Sequence, residues 1–125
     1  NTLDTLDPTM GFWINMTVAD TLTVTGSFQT NTTINLLDNV GGWNLVGFPS
    51  ASSIGMPQAL EENGVPKSAY SLVYAYYAVD VSDHWKIFDT DTPDFSNDLD
   101  NLSPGYGYWI YVLGDPVWNV NYQLN

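Results

Sequence analysis

Hydrophobic and polar residues alternate along much of this chain, with the period of two that is typical of β-strands. Two such stretches near the start, residues 12–16 and 21–25, are joined by a short link, which predicts a β-hairpin. Residues 33–37 and 43–48 form a second apolar pair around Asp-Asn-Val-Gly-Gly, a turn whose residue types accept a positive φ. We therefore predict a second hairpin there.

More strands are predicted in the second half of the chain. Residues 69–81 and 84–88 are rich in Tyr, Val and other strand-forming residues, and residues 108–112 and 118–124 alternate again. The one helical signal covers residues 57–63, which begin with a proline and are followed by a glycine. With turn signals about every eight to twelve residues, the pattern predicts an all-β fold. We expect an antiparallel β-sandwich or partly open barrel with one short helix.

The chain contains one sequence element twice. Residues 6–16, LDPTMGFWINM, align without a gap with residues 102–112, LSPGYGYWIYV, and the longer copies span 6–26 and 102–122. A repeat separated by the length of a small domain is typical of modules from tandem arrays, whose copies contact their neighbours. We therefore interpret residues 1–125 as a single β-module that carries a second copy of one element.

Each copy places a turn before an aromatic strand. The shared glycines, Gly11 and Gly107, are expected where the backbone needs a positive φ or a close approach. Two interpretations of the strands stay open: they form the core, or they are edge strands that complete the sheet of a neighbouring module by strand addition. The candidate residues for strand addition are Phe12, Trp13, Ile14, Met16, Tyr108, Trp109, Ile110 and Val112.

Composition and charge narrow the possible partners. Fourteen carboxylates against two lysines give a formal charge of −12, which makes nucleic acid and anionic membrane surfaces poor partners. The chain has no cysteine, which excludes disulfides and thiolate metal sites, and no apolar run approaches the roughly 18 residues of a membrane span. The chain starts at Asn1 without a Met or a basic, apolar leader, which predicts a processed or excised segment. Scarce lysine and abundant Thr, Asn, Gly and aromatic residues predict an extracellular or cell-surface protein. Three sequons are candidate glycosylation sites, at Asn15, Asn31 and Asn101.

Half of the acidic residues fall between positions 80 and 100, and all of these are aspartates. Short carboxylates at nearly alternate positions can converge on a hard cation such as calcium without a helix, although the spacing excludes an EF-hand. A solvated acidic loop is the open alternative. The candidate calcium ligands are Asp89, Asp91, Asp94, Asp98 and Asp100.

No residue pattern indicates catalysis. His84 is the only imidazole and has Asp83 beside it, but a histidine at a strand end is far more often structural. The serines at 50, 52 and 53 lack the nucleophile-elbow pattern, and no glycine-rich phosphate loop is present. We expect a protein that is not an enzyme.

Three stretches together resemble a known family. GGWNLVGFPS at 41–50, WKIFD at 85–89 and LSPGYGYWI at 102–110 are similar to a β-rich repeat module of archaeal and bacterial cell-surface and secreted proteins, with GWNLVG-P and PG-GYWI signatures. The resemblance implies a non-catalytic extracellular building block. The chain departs from the pattern in its first copy, where Asp-Pro-Thr-Met replaces the Pro-Gly turn, and in its second, which no Gly-Trp-Asn-Leu follows.

Two functions are compatible with these observations. The first is a structural module that assembles end to end with copies of itself or neighbouring modules in a filament, sheath, surface layer or stalk, with calcium as a candidate cofactor. The alternative is a carbohydrate-binding module, whose exposed aromatic rings would stack on glycans. Its candidate residues are Tyr70, Tyr74, Tyr76, Trp85 and Trp118. Burial of the aromatic rings in a core favours assembly, and rings in solvent favour glycan binding.

Overall fold

The computed structural model describes residues 4–27, 29–39 and 41–121. Its described part is mostly β-structure in antiparallel sheets, which confirms the predicted all-β class. The strands are β1 Asn31–Asn35, β2 Trp43–Gly47, β3 Ile54–Gly55, β4 Tyr70–Tyr76, β5 Trp85–Asp89, β6 Asn101–Leu102, β7 Gly107–Val112 and β8 Val117–Asn121. One short helix, α1 Gln58–Glu61, follows β3, and single 3-10 turns lie at Lys67–Ala69 and Asp94–Ser96.

The strands pair into a sandwich-like arrangement around one core. The larger sheet has the order β2-β7-β4-β5, while β1 pairs with β8 and β3 pairs with β6. In β7, Tyr108, Ile110 and Val112 are fully buried, whereas the residues between them lie on the opposite, outer face of the sheet. Trp118 of β8 meets the larger sheet in the core and stacks on Phe48, with ring centroids 5.9 Å apart. The period of two along each strand thus separates core from surface.

The second predicted hairpin is wrong, although its two strands exist. β1 pairs with β8 and β2 pairs with β7, so the chain crosses from one sheet to the other between them. The Asn44 side chain holds this crossing, because it accepts from the Leu37 N–H at 3.0 Å and donates to the Leu37 carbonyl oxygen at 3.1 Å. Turn-forming residues are equally compatible with a crossing between sheets, and the distant partner strands decide which forms.

The first predicted hairpin is also wrong. Residues 4–27, here called the N-terminal segment, form no strand, and only an isolated bridge joins Met10 to Val46 of β2. The alternation in residues 12–16 and 21–25 is real, but these two stretches do not pair in this fold. Large hydrophobic side chains are therefore exposed along the segment, at Leu6, Phe12, Trp13, Ile14, Met16, Val18, Leu22 and Val24.

The repeat copy at 108–112 is not an edge strand, which corrects the prediction made for Tyr108, Trp109, Ile110 and Val112. β7 lies between β2 and β4 and pairs with both. Its backbone groups are therefore paired on both edges, and its inward side chains, Tyr108, Ile110 and Val112, are fully buried. Of the predicted strand 118–124, residues 122–124 lie outside the described residues.

No helix within the described ranges is long and apolar enough to span a membrane.

Candidate functional site

The first repeat copy is anchored to its own module through glycines. The Gly47 N–H donates to the Thr9 carbonyl oxygen at 3.0 Å, beside the bridge from Met10 to β2. A Cβ at Gly11 would lie 2.7 Å from the Val46 carbonyl oxygen, and one at Gly47 would lie 2.9 Å from the Pro8 carbonyl oxygen. Side chains at these two positions would therefore push the segment away from β2.

The equivalent glycines of the two copies lie next to each other. A Cβ added at Gly107 would lie 3.5 Å from the Cα atom of Gly11. Neither glycine has a positive φ, so of the two predicted reasons for glycine the structure supports close approach. The first copy therefore passes directly over the start of the second copy.

The outer surface of the larger sheet is aromatic, and the first copy reaches it. The Trp13 ring lies 5.1 Å from the Tyr76 ring and 5.8 Å from the Trp85 ring, measured between centroids. Further along the sheet, the rings of Trp43, Tyr74, Trp85 and Trp109 line a shallow apolar pocket of about 490 Å³. We call this surface the aromatic face; its rings belong to Trp43, Tyr74, Tyr76, Trp85, Trp109 and Tyr111.

The aromatic residues predicted for glycan binding are divided between two environments. Tyr74, Tyr76 and Trp85 belong to the aromatic face, where their rings are tilted against each other instead of coplanar: 87° for Tyr74 with Trp85 and 68° for Tyr76 with Trp85. Tyr70 and Trp118 are fully buried, so the prediction that they bind glycans is wrong.

The buried pair is held by polar contacts as well as packing. The Trp118 Nε1–H donates to the Ala59 carbonyl oxygen at 2.8 Å, and the Tyr70 hydroxyl donates to Glu61 at 3.2 Å. Burial, together with the nearby Glu61 carboxylate, raises the pKa of the Tyr70 hydroxyl. Both aromatic residues therefore fix α1 against the core.

Two outer sheet edges are covered by the chain itself. Along β5, the Ile87 N–H donates to the Asp98 carboxylate at 2.7 Å and the Asp89 N–H donates to the Asn97 side-chain oxygen at 2.8 Å. Along β8, the Asn119 N–H donates to the Asn63 carbonyl oxygen at 2.8 Å. Covered edges cannot accept another strand.

The outer edges of β1 and β2 are more open. The Leu36 N–H donates to the Pro116 oxygen at 3.1 Å, so the even-numbered positions of β1 bond β8, and the backbone groups of Asn31, Thr33 and Asn35 point away from it. Within the described residues, no backbone hydrogen bond reaches this side of β1. On the outer edge of β2, the Thr9 carbonyl oxygen accepts a hydrogen bond from one backbone group, the Gly47 N–H.

A cavity of about 820 Å³ lies between the N-terminal segment and the end of the sandwich. Its walls include Leu22 and Val24 from the segment, and Thr32 and Phe48 from the body. Leu22 and Val24 remain 62% and 77% exposed, so the segment borders the cavity without filling it. The Thr32 hydroxyl oxygen is buried and has no hydrogen-bond partner among the described residues.

Within the described ranges, no group of three or more His, Cys, Asp or Glu side chains is placed to hold a metal ion. The predicted calcium ligands instead make local bonds: Asp98 covers β5, and Asp89 accepts from the Asp91 N–H at 2.8 Å. Calcium binding by the loop stays a prediction.

Lys86 is shared by carboxylates from two loops. Its Nζ lies 3.0 Å from Asp80, 3.0 Å from Asp83 and 3.6 Å from Asp98. Hydrogen bonds from the Ser82 hydroxyl, from Lys86 and from the Asp83 N–H hold the pKa of Asp80 well below its usual range. The bonds to Asp83 and Asp80 raise the pKa of Lys86.

Replacing Lys86 with methionine is expected to destabilise the fold near neutral pH, and this loss should shrink in acid. Because the pKa of Asp80 is lowered on folding, its stabilising effect is complete above the ordinary value of 3.8 and is lost as the pH falls through the lowered value. Urea unfolding of both proteins between about pH 7 and pH 2 measures the difference. A difference in free energy that stays constant down to the acid limit would contradict the role of Lys86.

Other predicted residues are placed as follows. The three sequon asparagines are exposed, and their glycosylation stays a prediction. His84 stacks on Tyr76, with ring centroids 5.1 Å apart, and its Nδ1 lies 3.1 Å from the Tyr77 carbonyl oxygen. These contacts position the start of β5 against the end of β4.

Sequence reasoning missed three features of the site: the open edge of β1, the buried hydroxyl of Thr32 and the close approach at Gly47. A Thr-rich strand gives no sign of which edge will lack a partner. The Gly-Phe-Pro sequence after Val46 was the one available signal for a close backbone approach.

No protein-family model, curated protein or solved structure matches this chain.

Proposed function

We propose that this chain is a non-catalytic structural module that joins copies of itself, or neighbouring modules, by strand addition at the cell surface or outside the cell. The assembly would be a filament, sheath, surface layer or stalk, as the resemblance to cell-surface repeat modules implies. The contrast between the two repeat copies carries the proposal.

The two copies share a sequence pattern but have opposite environments. Tyr108, Ile110 and Val112 are fully buried in the middle of a sheet. Their counterparts in the first copy, Phe12, Ile14 and Met16, are between 38% and 53% exposed. The first copy therefore has the residues of a sheet strand and no sheet around it.

The exposed apolar residues of the N-terminal segment favour binding to a partner that would bury them. Each large apolar side chain that leaves water contributes about 1.5–3 kcal/mol, and contiguous apolar surface of this kind marks interaction sites in soluble proteins. The nearby edges of β1 and β2 provide unpaired backbone groups, which is what strand addition requires.

The distribution of charge allows copies to meet at this segment. The whole chain has a formal charge of −12, which repels other copies at long range. Residues 8–37, however, contain one carboxylate, Asp20, and no lysine. A contact through this region adds little repulsion, and salt should screen the rest.

Negative-stain electron microscopy with light scattering tests the proposal. The purified chain would be compared when dilute and concentrated, at low and at moderate salt, with millimolar calcium and with chelator. We expect regular filaments or sheets that increase with protein and salt concentration. Monodisperse particles under every condition would refute assembly. Filaments that are unchanged by chelator would refute a role for calcium and leave strand addition intact.

Glycan binding is the second candidate, and the pocket among Trp43, Tyr74, Trp85 and Trp109 favours it. Tilted rings and a lining of aromatic residues leave few partners for sugar hydroxyls, so we place it after assembly. Titration of tryptophan emission with oligosaccharides tests it, with Trp85→Ala as the control variant. A response in the original chain that disappears in the variant would support glycan binding.

A further inference from the structure

We infer that the outer edge of β1 accepts residues 21–25 of a second copy of this chain as an added strand. Leu22 and Val24 of the donor would face the cavity beside Thr32 and Phe48. This inference rests on the proposed function and names the two surfaces that meet.

β1 is the edge best suited to accept a strand. The backbone groups of Asn31, Thr33 and Asn35 point away from β8, and no described backbone group bonds them. The edges of β5 and β8 are covered, and the end of β2 already bonds Thr9 of its own chain. A strand of five residues matches the length of β1.

The buried hydroxyl of Thr32 also favours an added strand at this edge. This residue is only 6% exposed, yet its hydroxyl lacks a hydrogen-bond partner in the described structure. It also lines the cavity where the added strand would lie. A buried hydroxyl without a partner costs free energy, and an arriving strand brings backbone N–H and carbonyl groups that can bond it.

The donor sequence matches the two faces of β1. In β1, the odd-numbered residues are exposed and polar, and Thr32 and Ile34 point inward. In residues 21–25, threonines alternate with Leu22 and Val24 in the same way. The added strand would therefore continue a polar outer face and an apolar inner face, with threonines beside Asn31 and Thr33.

Residues 21–25 are also freer than residues 12–16. The earlier stretch is held by the Trp13 ring against Tyr76 and Trp85. In the described structure, residues 21–25 are held by a local hydrogen bond, from the Thr21 N–H to the Asp20 side chain at 2.7 Å. Residues 21–25 can therefore leave their own module at a lower cost in free energy than residues 12–16.

Charge favours a second copy as the occupant. Residues 21–37 include both the donor stretch and β1, and they contain no charged residue. Two copies that exchange this region bring uncharged surfaces together and keep their acidic loops apart. In the structure the segment's own Leu22 and Val24 stay largely in solvent, so the cavity is left for another chain.

Cysteine cross-linking between copies tests the inference, since the chain has no cysteine of its own. A Thr33→Cys protein would be mixed in turn with Thr21→Cys, Thr23→Cys and Thr25→Cys proteins under mild oxidation. Adjacent strands place opposite Cβ atoms within reach of a disulfide. Two matched mixtures serve as controls: Thr92→Cys, on an exposed loop, and Asn15→Cys, in the other alternating stretch. We expect the mixed disulfide to form about tenfold faster or more for one of the three pairs.

Three results would overturn the inference. Equal rates for all mixtures would show random collision, and faster reaction with Asn15→Cys would identify residues 12–16 as the donor. A Thr23→Cys/Thr33→Cys chain that closes as a monomer at every concentration, with no mixed disulfide between copies, would show that the segment fills its own edge. Electron microscopy of the same samples separates the claims: assembly without the cross-link refutes only this inference, whereas no assembly and no cross-link refutes the proposed function as well.

Discussion

The double substitution Leu22→Asp and Val24→Asp is expected to abolish self-association while the fold stays intact. Both side chains are largely exposed in the single chain, so the carboxylates would remain in water. In the assembled state the same positions would be buried against β1. Loss of two buried apolar side chains removes about 3–6 kcal/mol, which weakens association by roughly a hundredfold to ten-thousandfold. Burial of carboxylates adds a further penalty.

Sedimentation velocity over a range of protein concentrations measures the effect, and urea unfolding checks the fold. The matched control is Thr21→Asp with Thr23→Asp, which adds the same charge to the same stretch on its other face. This control should assemble far better than the first variant. Equal loss in both would show that charge repulsion, not burial, controls assembly; unchanged assembly of the first variant would exclude residues 21–25 as the donor.

The Trp118→Ala substitution is expected to destabilise the fold by about 3–5 kcal/mol. The ring is fully buried, stacks on Phe48 and donates a hydrogen bond to the Ala59 carbonyl oxygen. Its loss leaves a cavity between β8 and the larger sheet, and the Ala59 carbonyl oxygen in α1 loses its donor. Chemical unfolding monitored by far-ultraviolet circular dichroism measures the change.

Trp85→Ala is the matched control for this core residue, because it removes the same side chain from the aromatic face. Trp85 is 47% exposed, so we expect a loss below about 2 kcal/mol. Similar losses for the two variants would contradict the division of the tryptophans into core and surface. A larger loss for Trp85→Ala would mean that the aromatic face, and not the Trp118 cluster, stabilises the fold.

Several elements could be predicted from sequence because their signals are local. The alternation in residues 108–112 appears in the structure as β7, with Tyr108, Ile110 and Val112 inward. The proline and glycine around α1 bracket the described helix closely. In each case the residue types and their spacing favour the local conformation that the structure shows.

The candidate site was harder to predict, because it consists of a strand edge and a buried hydroxyl that lack partners in the described structure. Residues 12–16 and 108–112 have the same pattern, and the sequence alone gives no reason for one to be central and the other exposed. The acidic loop was compatible with a calcium site or a solvated loop, and no sequence signal indicated that Asn97 and Asp98 cover the backbone of β5. Short polar side chains have several possible partners, and only their position in space selects one.

The sequence by itself determined the all-β class, the positions of most strands, the inward face of β7 and the acidic net charge of the chain. These follow from side-chain periodicity and composition, which act over a few residues. Only the tertiary structure decided that β1 pairs with β8, that β7 is central, and that β1 keeps an open edge beside the buried Thr32 hydroxyl. Strand pairing joins residues as far apart as Asn31 and Asn121, and such choices depend on the packing of the whole core.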